Sequence, residues 1–127
     1  MGWFLAARHL LDDPAFADQV WQALQGTLAQ DRAMVFDAQM GLYRGETSFL
    51  DWREQTYPDW TRENVRFIGD SYALSTNVLH YQALRMGQQM AAQLGDERAE
   101  QYKAWADALA LQIDARFWRQ DIGQYMC

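Results

Sequence analysis

From Ser71 to Leu94 the chain carries a single formally charged side chain, Arg85, and this stretch constrains the fold more than any other. Leu74, Val78, Leu79, Leu84, Met90 and Leu94 spread over more than one face of a helix. A helix apolar nearly all round belongs inside a protein, with neighbours on most sides. The pattern predicts a helix from Tyr72 to Leu94, started by Asp70 or Ser71 as cap and closed by Gly95 in the left-handed position past a helix end. Gly87 and the alanines of this helix leave room for neighbours to approach closely.

Gly95-Asp96 is too short a connection for anything but an antiparallel helical hairpin. The second arm, Glu97 to Phe117, has one apolar stripe (Tyr102, Ala106, Leu109, Ile113, Phe117) and charges elsewhere, so it is expected at the surface. Upstream, Asp13 is placed to cap free amides and Pro14 suits a first helical position, which opens a helix from Ala15 to about Val35. Its expected inner face is Phe16, Val20, Ala23, Leu24, Thr27, Leu28 and Met34-Val35; Gly26 in its middle costs about 1 kcal/mol against alanine. Residues 3–11 give a further short apolar helical pattern, and Thr61 to Phe67 one helical turn or two. The chain thus alternates inner and outer helices. It is expected to be all-α, built of antiparallel helical hairpins, with 127 residues forming one domain of about two hairpins and a long loop over residues 41–70.

Two octets punctuate this alternation. Phe36-Asp37-Ala38-Gln39-Met40-Gly41-Leu42-Tyr43 follows the first long helix, and Trp118-Arg119-Gln120-Asp121-Ile122-Gly123-Gln124-Tyr125 follows the last. Each runs aromatic, four residues, glycine, one residue, tyrosine. Such a pair points to a structural repeat in which the aromatic anchors the last helical turn, the glycine makes a left-handed turn and the tyrosine begins an extended segment.

The charge balance excludes one class of partner. A net charge of -6 and a pI of about 4.7 are wrong for nucleic acid, whose binding depends on clustered lysine and arginine. No apolar run has the length of a membrane span. Cys127 alone forms no disulfide within the chain, and His9 and His80 have no ligand at metal spacing, so neither a metal nor another cofactor is expected. His80 is expected as a hydrogen-bonded core residue.

The chemistry concentrates between Gly41 and Trp60, GLYRGETSFLDWREQTYPDW. A loop this long and this aromatic is a functional candidate. Asp51 lies between Leu50 and Trp52, apolar neighbours that favour a protonated acid; capping a turn or pairing with Arg53 is the structural alternative. Glu46 is the reserve acid or a partner of Arg44. Trp52, Tyr57 and Trp60 could stack on sugar faces or fill the loop's own core, and Arg53 and Glu54 could hold hydroxyls or form ion pairs. Asn77, near the start of the apolar helix, is a candidate pocket-lining group.

The combination of GLYRGETSFLDWREQTYP, then ALSTNVLHYQAL opening an apolar helix, then an outer helix ending in RFWRQDIGQY, resembles the six-hairpin glycosidases, the (α/α)6 barrel group that includes trehalases and glucoamylases. The resemblance covers nearly the whole chain. It implies part of an (α/α)6 toroid, a carbohydrate substrate, Asp51 or Glu46 as general acid and Trp52, Arg53, Glu54, Tyr57, Trp60 and Asn77 as substrate-binding residues. In trehalases a glycine and a tryptophan precede the aspartate of this segment, whereas Phe49 and Leu50 precede Asp51 here. Such enzymes need a second carboxylate from a distant part of the chain, so a two-hairpin piece is expected to be inactive alone and to self-associate through the flank of a truncated barrel. The alternatives are an isomerase or epimerase on the same barrel and a helical-repeat module that binds a protein.

Overall fold

The computed structural model describes residues 13–45 and 66–126, apart from the side chains of residues 67 and 68. Helix α1 spans Pro14–Met34, and the Asp13 carboxylate accepts the free amides of Ala15 and Phe16 at 3.0 and 3.4 Å, as its capping position requires. Strands β1 (Phe36–Asp37) and β2 (Leu42–Tyr43) form a small hairpin directly after it. The four-residue helix α2, Arg66–Gly69, precedes α3, Leu74–Leu94, and α4, Arg98–Phe117. Strands β3 (Trp118–Arg119) and β4 (Gln124–Tyr125) form a second hairpin. The described chain is mostly helical, all-α apart from these two ribbons.

Helices α3 and α4 make the main antiparallel pair. Gly95 ends α3 with φ of 65°, and the Asp96 amide reaches back to the Ala91 carbonyl at 2.8 Å, so the turn is closed by the left-handed glycine that the sequence demands. The start of α3 differs from expectation. Tyr72 pairs with Gly45 in an isolated bridge instead of entering the helix, which begins at Leu74 with Ala73 as a cap that offers no side-chain hydrogen bond.

The core is the layer between α1, α3 and α4. Tyr102, Ala106, Leu109, Ile113 and Phe117 of α4 are buried, the stripe read from spacing. On α1 the buried face is Trp21, Leu24 and Leu28, while Ala23 and Thr27 are exposed and Met34 is 75% exposed. Leu24 and Leu28 lie where expected and Val20 and Val35 pack against the core, so the expected face is shifted only in part, Trp21 taking the place of Ala23 and Thr27. The Trp21 ring sets the true one, meeting Tyr102 edge-on at 6.5 Å. Gly87 lets α3 close on both partners: a Cβ there would lie 2.7 Å from Leu28 Cδ1 and 3.1 Å from Tyr102 Cδ2.

The two octets adopt the same structure. Phe36 faces Tyr43 as Trp118 faces Tyr125, with ring centroids 5.0 Å apart in each pair. Gly41 (φ 67°) and Gly123 (φ 63°) both turn left-handed, and their amides donate to the carbonyls of Asp37 and Arg119, each at 2.8 Å. Arg44 donates to Val35 and Met126 to Phe117, again at 2.8 Å in both. The repeat is real in three dimensions. The Tyr125 hydroxyl donates to Asp114 of α4, the residue at the repeat position of Arg32 on α1.

Candidate functional site

The loop leaves the first hairpin at Gly45 and the chain returns to it at Tyr72. The Gly45 amide donates to the Ser71 carbonyl at 2.9 Å, and Gly45 and Tyr72 form a parallel bridge. The two ends of the loop are thus tied together beside the N-terminus of α3.

A polar cluster locks this neck. Asp37 Oδ2 accepts from the Tyr72 hydroxyl at 2.6 Å and from Arg44 Nη2 at 2.6 Å, and Arg44 Nε donates to the same hydroxyl oxygen at 3.3 Å. Asp37 Oδ1 accepts the Gln39 and Met40 amides at 2.8 and 3.3 Å and so braces the hairpin turn as well. The Tyr72 hydroxyl, then Arg44, hold the Asp37 carboxyl well below the usual carboxylate range, and Asp37 in turn pushes the Arg44 guanidinium above its ordinary value. A carboxylate fixed in its ionised form is an anchor and a poor proton donor. Asp107, between Lys103 and Arg85, and Asp121, beside Arg119, are likewise held low. None of these three suits a general acid.

Beneath the neck, Tyr43 is buried and held from α3. Asn77, fully buried, accepts the Tyr43 amide at 2.7 Å and donates to the Tyr43 carbonyl at 3.0 Å and to the Ala73 carbonyl at 2.9 Å. His80, one turn on, stacks flat on the Tyr43 ring with centroids 4.0 Å apart and 11° between planes. Burial pushes the His80 imidazole below its ordinary value, opposed by the Asp31 carboxylate 3.4 Å away, and burial pushes the Tyr43 phenol up. Arg32 lies over both Phe36 and Trp105, 3.5 and 4.5 Å from their ring centroids, and joins the hairpin to α4.

Of the residues singled out in the sequence, Asn77 is seen, and its side chain serves the backbone of Tyr43 and Ala73. Glu46, Asp51, Trp52, Arg53, Glu54, Tyr57 and Trp60 lie outside the described residues. The Asp37, Arg44 and Tyr72 cluster was missed. Its one signal was Arg44 directly after the repeat tyrosine, and Tyr72 had been assigned to the helix. Among the described residues no group of three or more histidine, cysteine or acidic side chains could hold a metal ion, and no helix is long and apolar enough to cross a membrane. No protein-family model, curated protein or solved structure matches the chain.

Proposed function

We propose that this chain is part of a six-hairpin glycoside hydrolase in which the loop from Gly41 to Trp60 forms one wall of the sugar site. Asp51 protonates the leaving glycosidic oxygen, with Glu46 as the reserve acid; Trp52, Tyr57 and Trp60 stack on sugar rings, and Arg53 and Glu54 hold hydroxyls. The opposing carboxylate comes from elsewhere in the longer enzyme. The observation that carries this reading is the neck: the acid-rich, aromatic loop is tied at both ends, Gly45 to Ser71 and Asp37 to Tyr72, against the start of the least charged helix. A fixed base is what a loop needs if its side chains are to hold a reacting geometry.

In an enzyme that contains this segment, Asp51→Asn lowers kcat by at least about a hundredfold while the circular dichroism spectrum and melting temperature stay unchanged. Near-normal turnover contradicts the role of Asp51. A protein-binding helical-repeat module is the second reading, favoured by the exposure of Val78, Leu79 and Leu94 on the least charged helix.

A further inference from the structure

The two hairpins are alike in backbone and unlike in what covers them. Tyr43 is 2% exposed and Tyr125 is 45% exposed, although each closes the same turn at the end of the same kind of helix. The difference is α3, which lies on Tyr43 through Asn77 and His80, whereas its Leu74, Val78 and Tyr81 only border a concave face beside Tyr125. In both ladders the tyrosine faces its aromatic partner between hydrogen-bonded positions, so its main-chain N–H and C=O point away from the hairpin. At Tyr43 both groups end on Asn77. Beside Tyr125 lies a mostly apolar concave face made by Leu74, Val78 and Tyr81 of α3, Ala110, Ile113 and Asp114 of α4, and Tyr125 itself, with the Asp114 carboxylate taken by the Tyr125 hydroxyl. This face is continuous with the α3–α4 core, because Ile113 is itself buried in that core.

We propose that this face docks a separate amphipathic helix bearing a side-chain amide and, three residues later, a flat ring. The amide closes the Tyr125 N–H and C=O pair and the ring lies on the Tyr125 side chain, as Asn77 and His80 do at Tyr43. The internal repeat names the occupant: the chain already contains one such face, filled by one such helix. Apolar burial along Leu74 and Val78 supplies the driving force and the amide supplies the register. The inference stands on the repeat and not on the carbohydrate reading.

The probe is a synthetic peptide of residues 71–94, whose Asn77 and His80 carry the required pattern. Added to the intact 127-residue chain, it slows exchange of the Tyr125 amide proton by about tenfold or more, read by nuclear magnetic resonance. Val78→Arg in the protein, at an exposed position, removes that protection, whereas Leu111→Arg, outside the face and 69% exposed, leaves it intact. A peptide with leucine in place of Asn77 still docks through its apolar face and fails to protect the Tyr125 amide. The proposal is overturned if protection is absent, if it survives Val78→Arg, or if it appears only at Tyr43 through exchange with the protein's own helix. Protection that rises with protein concentration and needs no peptide overturns it too, and assigns the face to a second copy.

Discussion

Asn77 holds Tyr43 by both of its main-chain polar groups, accepting the amide at 2.7 Å and donating to the carbonyl at 3.0 Å. One fully buried side chain from α3 thereby sets where the first hairpin sits and where the long loop starts. Asn77→Leu orphans both groups in a dry site, and we expect a loss of roughly 2 to 4 kcal/mol in chemical denaturation. Asn77→Asp keeps the acceptor but turns a carboxylate toward the Tyr43 and Ala73 carbonyls, which favours its protonated form. Its folded pKa is raised, so its stability deficit is smallest in acid, below the unfolded value of about 3.9, and grows as pH rises.

Two mid-helix glycines are predicted to respond in opposite directions. Gly26 is exposed on α1 with open space where a Cβ would go, so Gly26→Ala gains up to about 1 kcal/mol from helix propensity and reduced unfolded-state freedom. At Gly87 the same change gains the same propensity but drives a methyl between Leu28 and Tyr102, both in the core. Overpacking of this kind costs about 1 to 3 kcal/mol, so Gly87→Ala is destabilised on balance. Parallel urea melts of the two variants check both signs.

These glycines show how much of the molecule was legible in advance. Helix spans, the Gly95 turn, the α4 stripe and the twin octets follow from spacing and from conformations that few residue types adopt, such as the left-handed turn taken by glycine. On α1, Leu24 and Leu28 were placed correctly and Val20 packs against the core, but Ala23 and Thr27 satisfy the helical period as well as Trp21 does, and only the tertiary partner Tyr102 decides between them. The start of α3 shifted because Tyr72 gains more from Asp37 and the Gly45 bridge than from two further helical residues, a long-range competition that periodicity does not carry. For the site, Asn77 was found as an inward polar group near the loop, while its actual partner, the Tyr43 backbone, needed the fold.

His80 gives the protein a pH dependence with a definite sign. Burial depresses its folded pKa below the ordinary value of 6.5, with Asp31 opposing. A depressed histidine contributes stability that is fully present above the unfolded value and lost as pH falls below it, because the unfolded chain binds the proton more readily. Stability measured by denaturant should therefore decline from about pH 7 to about pH 5. His80→Phe keeps the stacking on Tyr43 and should flatten that decline.

Tyr72→Phe removes the hydroxyl shared by Asp37 and Arg44 while leaving the ring in place. The neck of the loop then loosens without loss of the helical core. We expect exchange of the Gly45 amide, bonded to Ser71, to accelerate by about an order of magnitude, with α4 amides unchanged. Equal acceleration throughout would mean that the hydroxyl stabilises the whole domain and not the neck.

The proposed carbohydrate surface on the loop is tested most directly by titrating the chain with a panel of neutral oligosaccharides, followed by saturation-transfer difference spectra. Saturable transfer to at least one sugar is expected, with affinity in the millimolar range, about -4 kcal/mol, and its loss when Trp52→Ala and Trp60→Ala are combined. No saturable transfer to any sugar, or transfer unchanged in the double variant, would contradict it.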